Sequence, residues 1–191
     1  MTYPNWFEQS HARQNFELYA PREGELICLQ VGVYTGDATN WIANNMLSHP
    51  QSILWDVDTW KGSEEPVHKN MNFSEVYEEY EKKNSEFIGT KVVQYIGTSD
   101  SFFAGQPWDK PMFDFIYVDG DHTALQVMKD AINSYNSLKI GGVIAFDDYT
   151  WSLNQGEFYD PKPAIDWFKN ILSDRLETIV LNGQAWFKKI K

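Results

Sequence analysis

Two short segments of the sequence are rich in side chains that can bind a cation or move a proton. The first contains Asp119, Asp121 and His122, and the second contains Asp147 and Asp148. Carboxylate oxygens without nearby thiolates suit a hard divalent cation such as Mg²⁺, Mn²⁺ or Ca²⁺. The two segments therefore predict a divalent-metal site, and helix capping by Asp121 is the structural alternative.

Both segments follow apolar runs that are typical of buried parallel strands. Five such runs alternate with helical periodicity, and two further runs flank Asn182-Gly183, a strong hairpin signal. This order predicts a doubly wound α/β fold with a mainly parallel seven-stranded sheet and a C-terminal antiparallel β-hairpin. The predicted strands are Leu26–Val31, Ser52–Asp58, Lys91–Ile96, Phe113–Val118, Gly142–Phe146, Glu177–Leu181 and Ala185–Ile190.

The turn after the first predicted strand contains Gly32, Tyr34 and Gly36. Ligands of open α/β sheets bind beyond the carboxyl ends of the strands, so this turn is expected to pass close to a ligand. Tyr34 stands where the dinucleotide motif G-x-G-x-x-G has its second glycine, and its side chain would obstruct a pyrophosphate. The turn therefore disfavours a nicotinamide cofactor.

Polar residues after the second and third strands predict contacts to a nucleoside. A carboxylate at the end of the second strand can accept hydrogen bonds from both hydroxyls of a ribose. Asp58 is the predicted residue, and Asp56, two positions earlier on the same strand face, is the alternative. The third strand is followed by Thr98, Ser99 and Asp100, which can hydrogen-bond an adenine edge.

Two segments fall outside the alternation of strands and helices. Residues 1–24 contain scattered aromatic side chains, which predict a helix packed on the sheet or over a site. Residues 61–87 are expected to contain a crossover helix, because apolar residues from Phe73 to Tyr80 have helical spacing. The part before this helix is longer than a crossover needs, so a lid and a merely long loop both remain open.

Composition and charge limit the class of protein. The 191 residues are 42% hydrophobic, which suits one globular domain with a full core. The 27 acidic and 16 basic side chains give a net charge of −11, which disfavours nucleic acid and anionic membranes as partners. The single cysteine, Cys28, cannot form an internal disulfide, and the N-terminus lacks the regions of a signal peptide. A cytoplasmic domain is therefore expected.

Together these motifs resemble those of class I S-adenosylmethionine-dependent methyltransferases. The matching segments are Gln30 to Gly36, the acid at Asp58, Asp119-Gly-Asp-His122 and Leu138 to Tyr149. They are most similar to the group of catechol-type O-methyltransferases and bacterial sugar O-methyltransferases. The resemblance extends from about Leu26 to Ile190 and includes the terminal hairpin.

The resemblance implies a role for each matching residue. Residues expected to contact S-adenosylmethionine are Gln30, Gly32, Tyr34, Gly36, Asp58, Thr98, Ser99, Asp100 and Asp119. A divalent ion, Mg²⁺ in the first instance, would be held by Asp119, Asp147 and Asp148. His122 lies where catechol-type enzymes have their catalytic lysine and is the implied base, and Asp121 is the alternative. Gln30 departs from the pattern, because the family commonly has an acid there that binds the amino group of the cofactor.

The leading hypothesis is a methyltransferase that acts on a hydroxyl of a small polar molecule such as a sugar, with Trp60, His68 and Trp151 beside the acceptor. A non-catalytic module that binds S-adenosylmethionine or a nucleotide is the alternative, and a nucleotide-dependent oxidoreductase is a third hypothesis that Tyr34 disfavours. Nucleic-acid methylation is disfavoured by the charge and by the lack of an Asn-Pro-Pro-Tyr type motif after the fourth strand. The expected partners are a small-molecule acceptor and a second copy of the chain.

Overall fold

Five parallel strands form one side of a seven-stranded sheet, and a hairpin completes the other side. The computed structural model describes residues 3–63, 65–105 and 110–191. The sheet order is β3-β2-β1-β4-β5-β7-β6, and β7 runs in the direction opposite to the other six strands. The strands are β1 Ile27–Val31, β2 Ile53–Asp58, β3 Val92–Ile96, β4 Phe113–Val118, β5 Leu138–Phe146, β6 Leu176–Leu181 and β7 Ala185–Lys189. The predicted doubly wound sheet with its terminal hairpin is thus confirmed.

Seven α-helices lie in the described ranges. They are α1 Trp6–Gln9, α2 Ala12–Tyr19, α3 Asp37–Asn45, α4 Phe73–Asn84, α5 Ser99–Gly105, α6 Ala124–Ser137 and α7 Lys162–Ile171. Thr123 caps α6 because its side chain accepts a hydrogen bond from the amide of Gln126. Among these helices, none has the length and apolar character needed to cross a membrane.

Two apolar layers cover the sheet, since alternate strand residues face opposite sides. One layer packs Leu29 and Ile144 against Val127 of α6 and Phe168 of α7. The other contains Phe16 of α2, whose ring meets the rings of Trp186 and Tyr117 edge-on, together with Trp41 and Ile42 of α3. Phe16 of α2 therefore packs on the sheet, whereas Trp6 of α1 stacks on Tyr34 and lines a cavity beyond β1. Both alternatives for residues 1–24 are thus met within the described residues, which exclude Met1 and Thr2.

Main-chain hydrogen bonds extend the parallel ladder by one residue beyond the ends of the strands. The amide of Asp119 donates to Val31 at 2.7 Å, and the amide of Asp147 donates to Val118 at 2.9 Å. The amide of Gly97 likewise donates to Asp58 at 2.9 Å. The residues that follow β1 to β5 are consequently held at one edge of the sheet.

Candidate active site

A cavity of about 810 Å³ opens at this edge, beyond the carboxyl ends of the five parallel strands. Its volume is in the range of small-molecule and cofactor sites. The predicted residues that line it are Gly32, Tyr34, Asp58, Thr98, Ser99, Asp100, Asp119, Asp121, His122, Asp147 and Asp148. Trp60, His68 and Trp151, expected beside the acceptor, also line it.

Gln30 and Gly36 do not line the cavity, although both were expected to contact the cofactor. Gln30 is buried below the first turn, where its side-chain amide donates to the carbonyl of Gly32 at 3.0 Å. Gly36 faces α4, and a Cβ there would lie 2.5 Å from the ring of Tyr80. Both residues therefore support the turn after β1 from the side that faces away from the cavity.

Gly32 is required by the close approach of two backbones. It has φ +81°, and a Cβ there would lie 1.9 Å from the carbonyl oxygen of Asp119. The turn after β1 therefore presses directly on the end of β4, which carries Asp119 into the cavity.

The carboxylate of Asp58 ties together the turns after β1 and β2. Its Oδ2 accepts hydrogen bonds from the amides of Val33 at 2.7 Å and Tyr34 at 3.0 Å, and its Oδ1 accepts from the amide of Trp60 at 2.7 Å. A carboxylate offers about four acceptor positions, so about one remains for a ligand. Asp58 therefore has room for one ribose hydroxyl where two were expected.

Asp56, the alternative ribose ligand, lies away from the cavity. It is fully buried, and its Oδ2 accepts hydrogen bonds from the hydroxyls of Thr39 at 2.8 Å and Tyr80 at 2.9 Å. Its Oδ1 has no partner among the described residues. Burial raises the pKa of Asp56 to about 7, against the opposing effect of these two hydrogen bonds. Asp56 therefore belongs to the packed contact between α3, α4 and β2 and does not face the cavity.

The raised pKa of Asp56 predicts a measurable dependence of stability on pH. The folded state keeps the Asp56 proton up to about pH 7, whereas the unfolded state loses it near pH 4. The protonated carboxyl group therefore stabilises the folded state fully below about pH 4, and this contribution is lost as the pH rises to 7. Between pH 5 and pH 8 we expect the unfolding free energy of Asp56→Asn to gain about 3 kcal/mol relative to the wild type. Urea unfolding at both pH values measures this, and an equal change in the two proteins would contradict it.

The residues after β3 begin helix α5. Ser99 and Asp100 form the first turn of α5, and the hydroxyl of Ser99 accepts a hydrogen bond from Gln126 of α6 at 3.2 Å. Gln126 and the buried Asp130 of the same helix also line the cavity and were missed from the sequence. Burial raises the pKa of Asp130 to about 6. This side of the cavity is therefore formed jointly by α5 and α6.

The acidic end of the cavity brings together Asp119, His122 and Asp148. Nε2 of His122 lies 3.1 Å from Oδ2 of Asp148 and 3.7 Å from Oδ1 of Asp119. One ligand atom from each residue falls within 4.8 Å of the other two. Two carboxylates and an imidazole at these distances form a donor set that fits a divalent cation.

Asp147 lines the cavity, but its oxygens face the sheet. Oδ2 accepts a hydrogen bond from the hydroxyl of Tyr117 at 2.8 Å, and Oδ1 accepts one from Gln184 at 2.9 Å. Burial and the neighbouring Asp148 raise the pKa of Asp147 to about 6. The side chains whose ligand atoms lie together are therefore the predicted Asp119 and Asp148 with His122, whereas the oxygens of the predicted Asp147 face the sheet.

His122 is held by acids on both sides of its ring. Its Nδ1 lies 3.2 Å from Oε1 of Glu65, and Trp151 packs against the ring with centroids 4.9 Å apart. Burial lowers the pKa of His122, but Asp119, Asp148 and Glu65 outweigh it and raise the pKa well above its ordinary value. In the absence of another cation, the ring therefore supplies the positive charge of this cluster.

Asp121, the alternative base, lies exposed at the rim. Its Oδ1 accepts a hydrogen bond from the amide of Thr123 at 2.7 Å, just before α6. This contact forms a turn just before α6, whereas the residue that caps the helix is Thr123, so the capping role considered for Asp121 is not the one that it has.

Comparison with known proteins decides the family of this chain. Residues 29–149, more than half of the sequence, match the family model described as "Methyltransferase domain". The chain belongs to this methyltransferase family. A search of curated proteins by sequence finds no match.

Solved structures share the fold of this methyltransferase at low sequence identity. The O-methyltransferase TomG from Streptomyces achromogenes, in complex with SAM, is 13% identical with a TM-score of 0.62, over 100% of this chain and 92% of that one. An O-methyltransferase from Bacillus cereus, in complex with SAH, is 15% identical with a TM-score of 0.64, over 100% and 83%. A putative rRNA-methylase from Clostridium thermocellum is 12% identical with a TM-score of 0.67, over 100% and 99%.

Backbone strain in this methyltransferase concentrates at the cavity. Four described residues other than glycine have positive φ, and three of them, Tyr34, Trp60 and Asp148, line the cavity. Positive φ is unfavourable for residues with a Cβ and persists where surrounding contacts impose it. Tyr34 is fixed by stacking on Trp6 at 4.5 Å, and its carbonyl accepts a hydrogen bond from the indole of Trp60 at 3.0 Å.

Proposed function

We propose that this chain is an S-adenosylmethionine-dependent O-methyltransferase that methylates a hydroxyl of a small polar molecule, with a sugar as the first class to test. The observation that carries the proposal is the convergence of Asp119, His122 and Asp148 at the strand-end cavity of a methyltransferase-family chain. An acid pair beside a histidine is suited to binding a hydroxyl and removing its proton.

The cofactor would lie between the turn after β1 and the first turn of α5. Asp58 has an acceptor position for a ribose hydroxyl, and Thr98, Ser99 and Asp100 lie at the other side of the cavity for the adenine. S-adenosylmethionine supplies an electrophilic methyl group on a positively charged sulfur, and S-adenosylhomocysteine is left after transfer. The enzyme's own tasks are therefore to align the acceptor oxygen with that methyl group and to take its proton.

His122 is the proposed proton acceptor, through Nε2. The ring must first be neutral, and the carboxylates around it oppose this by raising its pKa. A divalent cation held by the carboxylates of Asp119 and Asp148 alone would leave Nε2 of His122 free, offset these charges and lower the pKa of the acceptor hydroxyl. Transfer would join the acceptor oxygen to the methyl carbon as the carbon–sulfur bond breaks and His122 takes the hydroxyl proton, which gives a methyl ether and S-adenosylhomocysteine.

The charge of the cavity restricts the acceptor. Among its described lining residues there is no Lys or Arg, whereas eight carry carboxylates: Asp58, Glu65, Asp100, Asp119, Asp121, Asp130, Asp147 and Asp148. Phosphate and carboxylate groups are normally bound by Arg and Lys, so an anionic acceptor would be repelled. We therefore propose a neutral or cationic acceptor, for which a sugar methylated in preference to its phosphate ester is the expected result of an acceptor screen.

Isothermal titration with S-adenosylmethionine tests the cofactor assignment. We expect the wild type to bind in the micromolar range and Asp58→Asn to bind about 10- to 100-fold more weakly, since a hydrogen bond to a charged group is lost. The matched control is Asp174→Asn, because Asp174 is exposed and outside the cavity lining. Thermal unfolding of each variant separates lost binding from a loosened turn.

Two outcomes of the same titration would contradict the proposal. A wild-type protein that gives no heat with S-adenosylmethionine, with or without Mg²⁺, would refute both the enzyme and the S-adenosylmethionine-binding module. Equal binding by wild type and Asp58→Asn would remove Asp58 from the cofactor site while leaving the cofactor in place.

A further inference from the structure

The segment before α4 carries an acidic residue into the acidic end of the cavity. Glu65 lies 3.2 Å from Nδ1 of His122, and the side chains are only 12% and 16% exposed. Nε2, the other nitrogen of the ring, faces Asp148 and Asp119. His122 is thus contacted on one side by acids that follow β4 and β5 and on the other by an acid from a segment remote in sequence.

Contacts within the segment hold Glu65 in this position. Oε1 of Glu65 accepts a hydrogen bond from the hydroxyl of Ser63 at 2.8 Å. The amide of Ser63 donates to Nδ1 of His68 at 3.1 Å, and the amide of His68 donates to the carbonyl of Glu65 at 3.0 Å. These bonds orient the Glu65 side chain independently of its contact with the imidazole.

The same segment forms a wall of the cavity. Gly62, Ser63, Glu65, Pro66, Val67 and His68 all line it, while Glu64 is outside the described residues. A largely buried carboxylate is costly unless a cation or several donors face it. Among the described residues, His122 is the cationic group at ion-pair distance from Glu65, so loss of that contact is expected to loosen the segment.

We propose that Glu65 is a positioning residue for His122 and that it makes the described residues around it, 61–63 and 65–72, a lid whose closure completes the active site. In this structure Glu65 and Nδ1 lie at ion-pair distance without the geometry of a hydrogen bond. A small rotation of the ring that directs an N–H at Nδ1 to Glu65 would leave Nε2 as the nitrogen that faces the reacting hydroxyl. A carboxylate that orients an imidazole in this way fixes both its tautomer and its ring plane. Because the carboxylate arrives with the lid, closing the cavity and orienting the base become one event. This inference rests on the proposed function for its catalytic part.

Amide hydrogen exchange of the ligand-free protein tests the contact without any substrate. We expect Glu65→Gln and His122→Gln each to speed exchange in residues 62–70 by about 10-fold, as loss of one net ion-pair contact of about 1.4 kcal/mol implies. The double variant should exchange no faster than the faster single variant, because both remove one shared contact. Glu78→Gln, an equal change of charge at an exposed position of α4, should leave this exchange unaltered.

Kinetics then test positioning against a merely structural role. With an acceptor that turns over, Glu65→Gln should lower kcat about 10- to 100-fold while the acceptor KM changes less than about twofold, and Glu65→Asp should recover part of kcat. Unchanged exchange in Glu65→Gln, or a change in KM alone, would overturn the proposal. Failure of the wild type to bind S-adenosylmethionine would instead refute the proposed function. The exchange experiment uses ligand-free protein, so its outcome is independent of cofactor binding.

Discussion

Replacing Gly32 by alanine is expected to prevent this methyltransferase from folding stably. The new Cβ would lie 1.9 Å from the carbonyl oxygen and 2.4 Å from the carbonyl carbon of Asp119, both of them backbone atoms. No rotamer change can relieve this clash, so β1 and β4 must separate at their carboxyl ends. We expect the unfolding free energy to fall by at least about 4 kcal/mol, a large part of the stability of a typical domain.

Gly24 offers a matched control for this experiment. Its φ of +79° is close to the +81° of Gly32, but a Cβ at Gly24 would have nothing within 4 Å. Gly24→Ala should therefore cost only the about 1–2 kcal/mol of a left-handed residue with a Cβ. Urea unfolding of both variants isolates the clash, and equal losses would show that the approach of Gly32 to Asp119 is not what demands glycine.

The sequence alone was sufficient to predict the acidic end of the site, because position in a parallel sheet follows from strand order. Once Asp119 and Asp148 were placed just after neighbouring strands, the common edge of those strands brought them together. The same argument located Asp58 and Gly32. It could not show that Asp147 turns toward Tyr117 and Gln184, since that depends on partners from β4 and the hairpin.

The residues that were missed lie on elements whose docking has no signal in strand order. Glu65 belongs to a segment without periodicity, so nothing in the sequence directs its side chain to His122. Asp130 did leave a signal, because it interrupts the apolar stripe of α6 beside Val127 and Ala131 and is buried there. Gly36 illustrates the converse case: the glycine is required by α4, although the sequence suggested a ligand.

His122→Gln should abolish most of the catalytic rate while leaving cofactor binding intact. The imidazole is largely buried, packs on Trp151, and directs a ring nitrogen toward Asp148 and Asp119. Loss of a positioned general base costs about 10²- to 10⁴-fold in rate, and the amide of glutamine cannot accept the hydroxyl proton. The dissociation constant for S-adenosylmethionine should change less than about twofold, because His122 contacts Glu65, Asp119, Asp148 and Trp151 and not Asp58, Thr98 or Ser99.

Asp121→Asn decides between the two bases that the sequence left open. Asp121 is exposed, and one of its oxygens already accepts the amide of Thr123 before α6, a bond that asparagine can keep. Its substitution should therefore lower kcat by less than about 10-fold. Methyl transfer measured by mass spectrometry with Mg²⁺ present, alongside titration calorimetry, gives both quantities for each variant. A larger loss in Asp121→Asn than in His122→Gln would make the rim carboxylate the base and reduce His122 to the cation that balances Asp119 and Asp148.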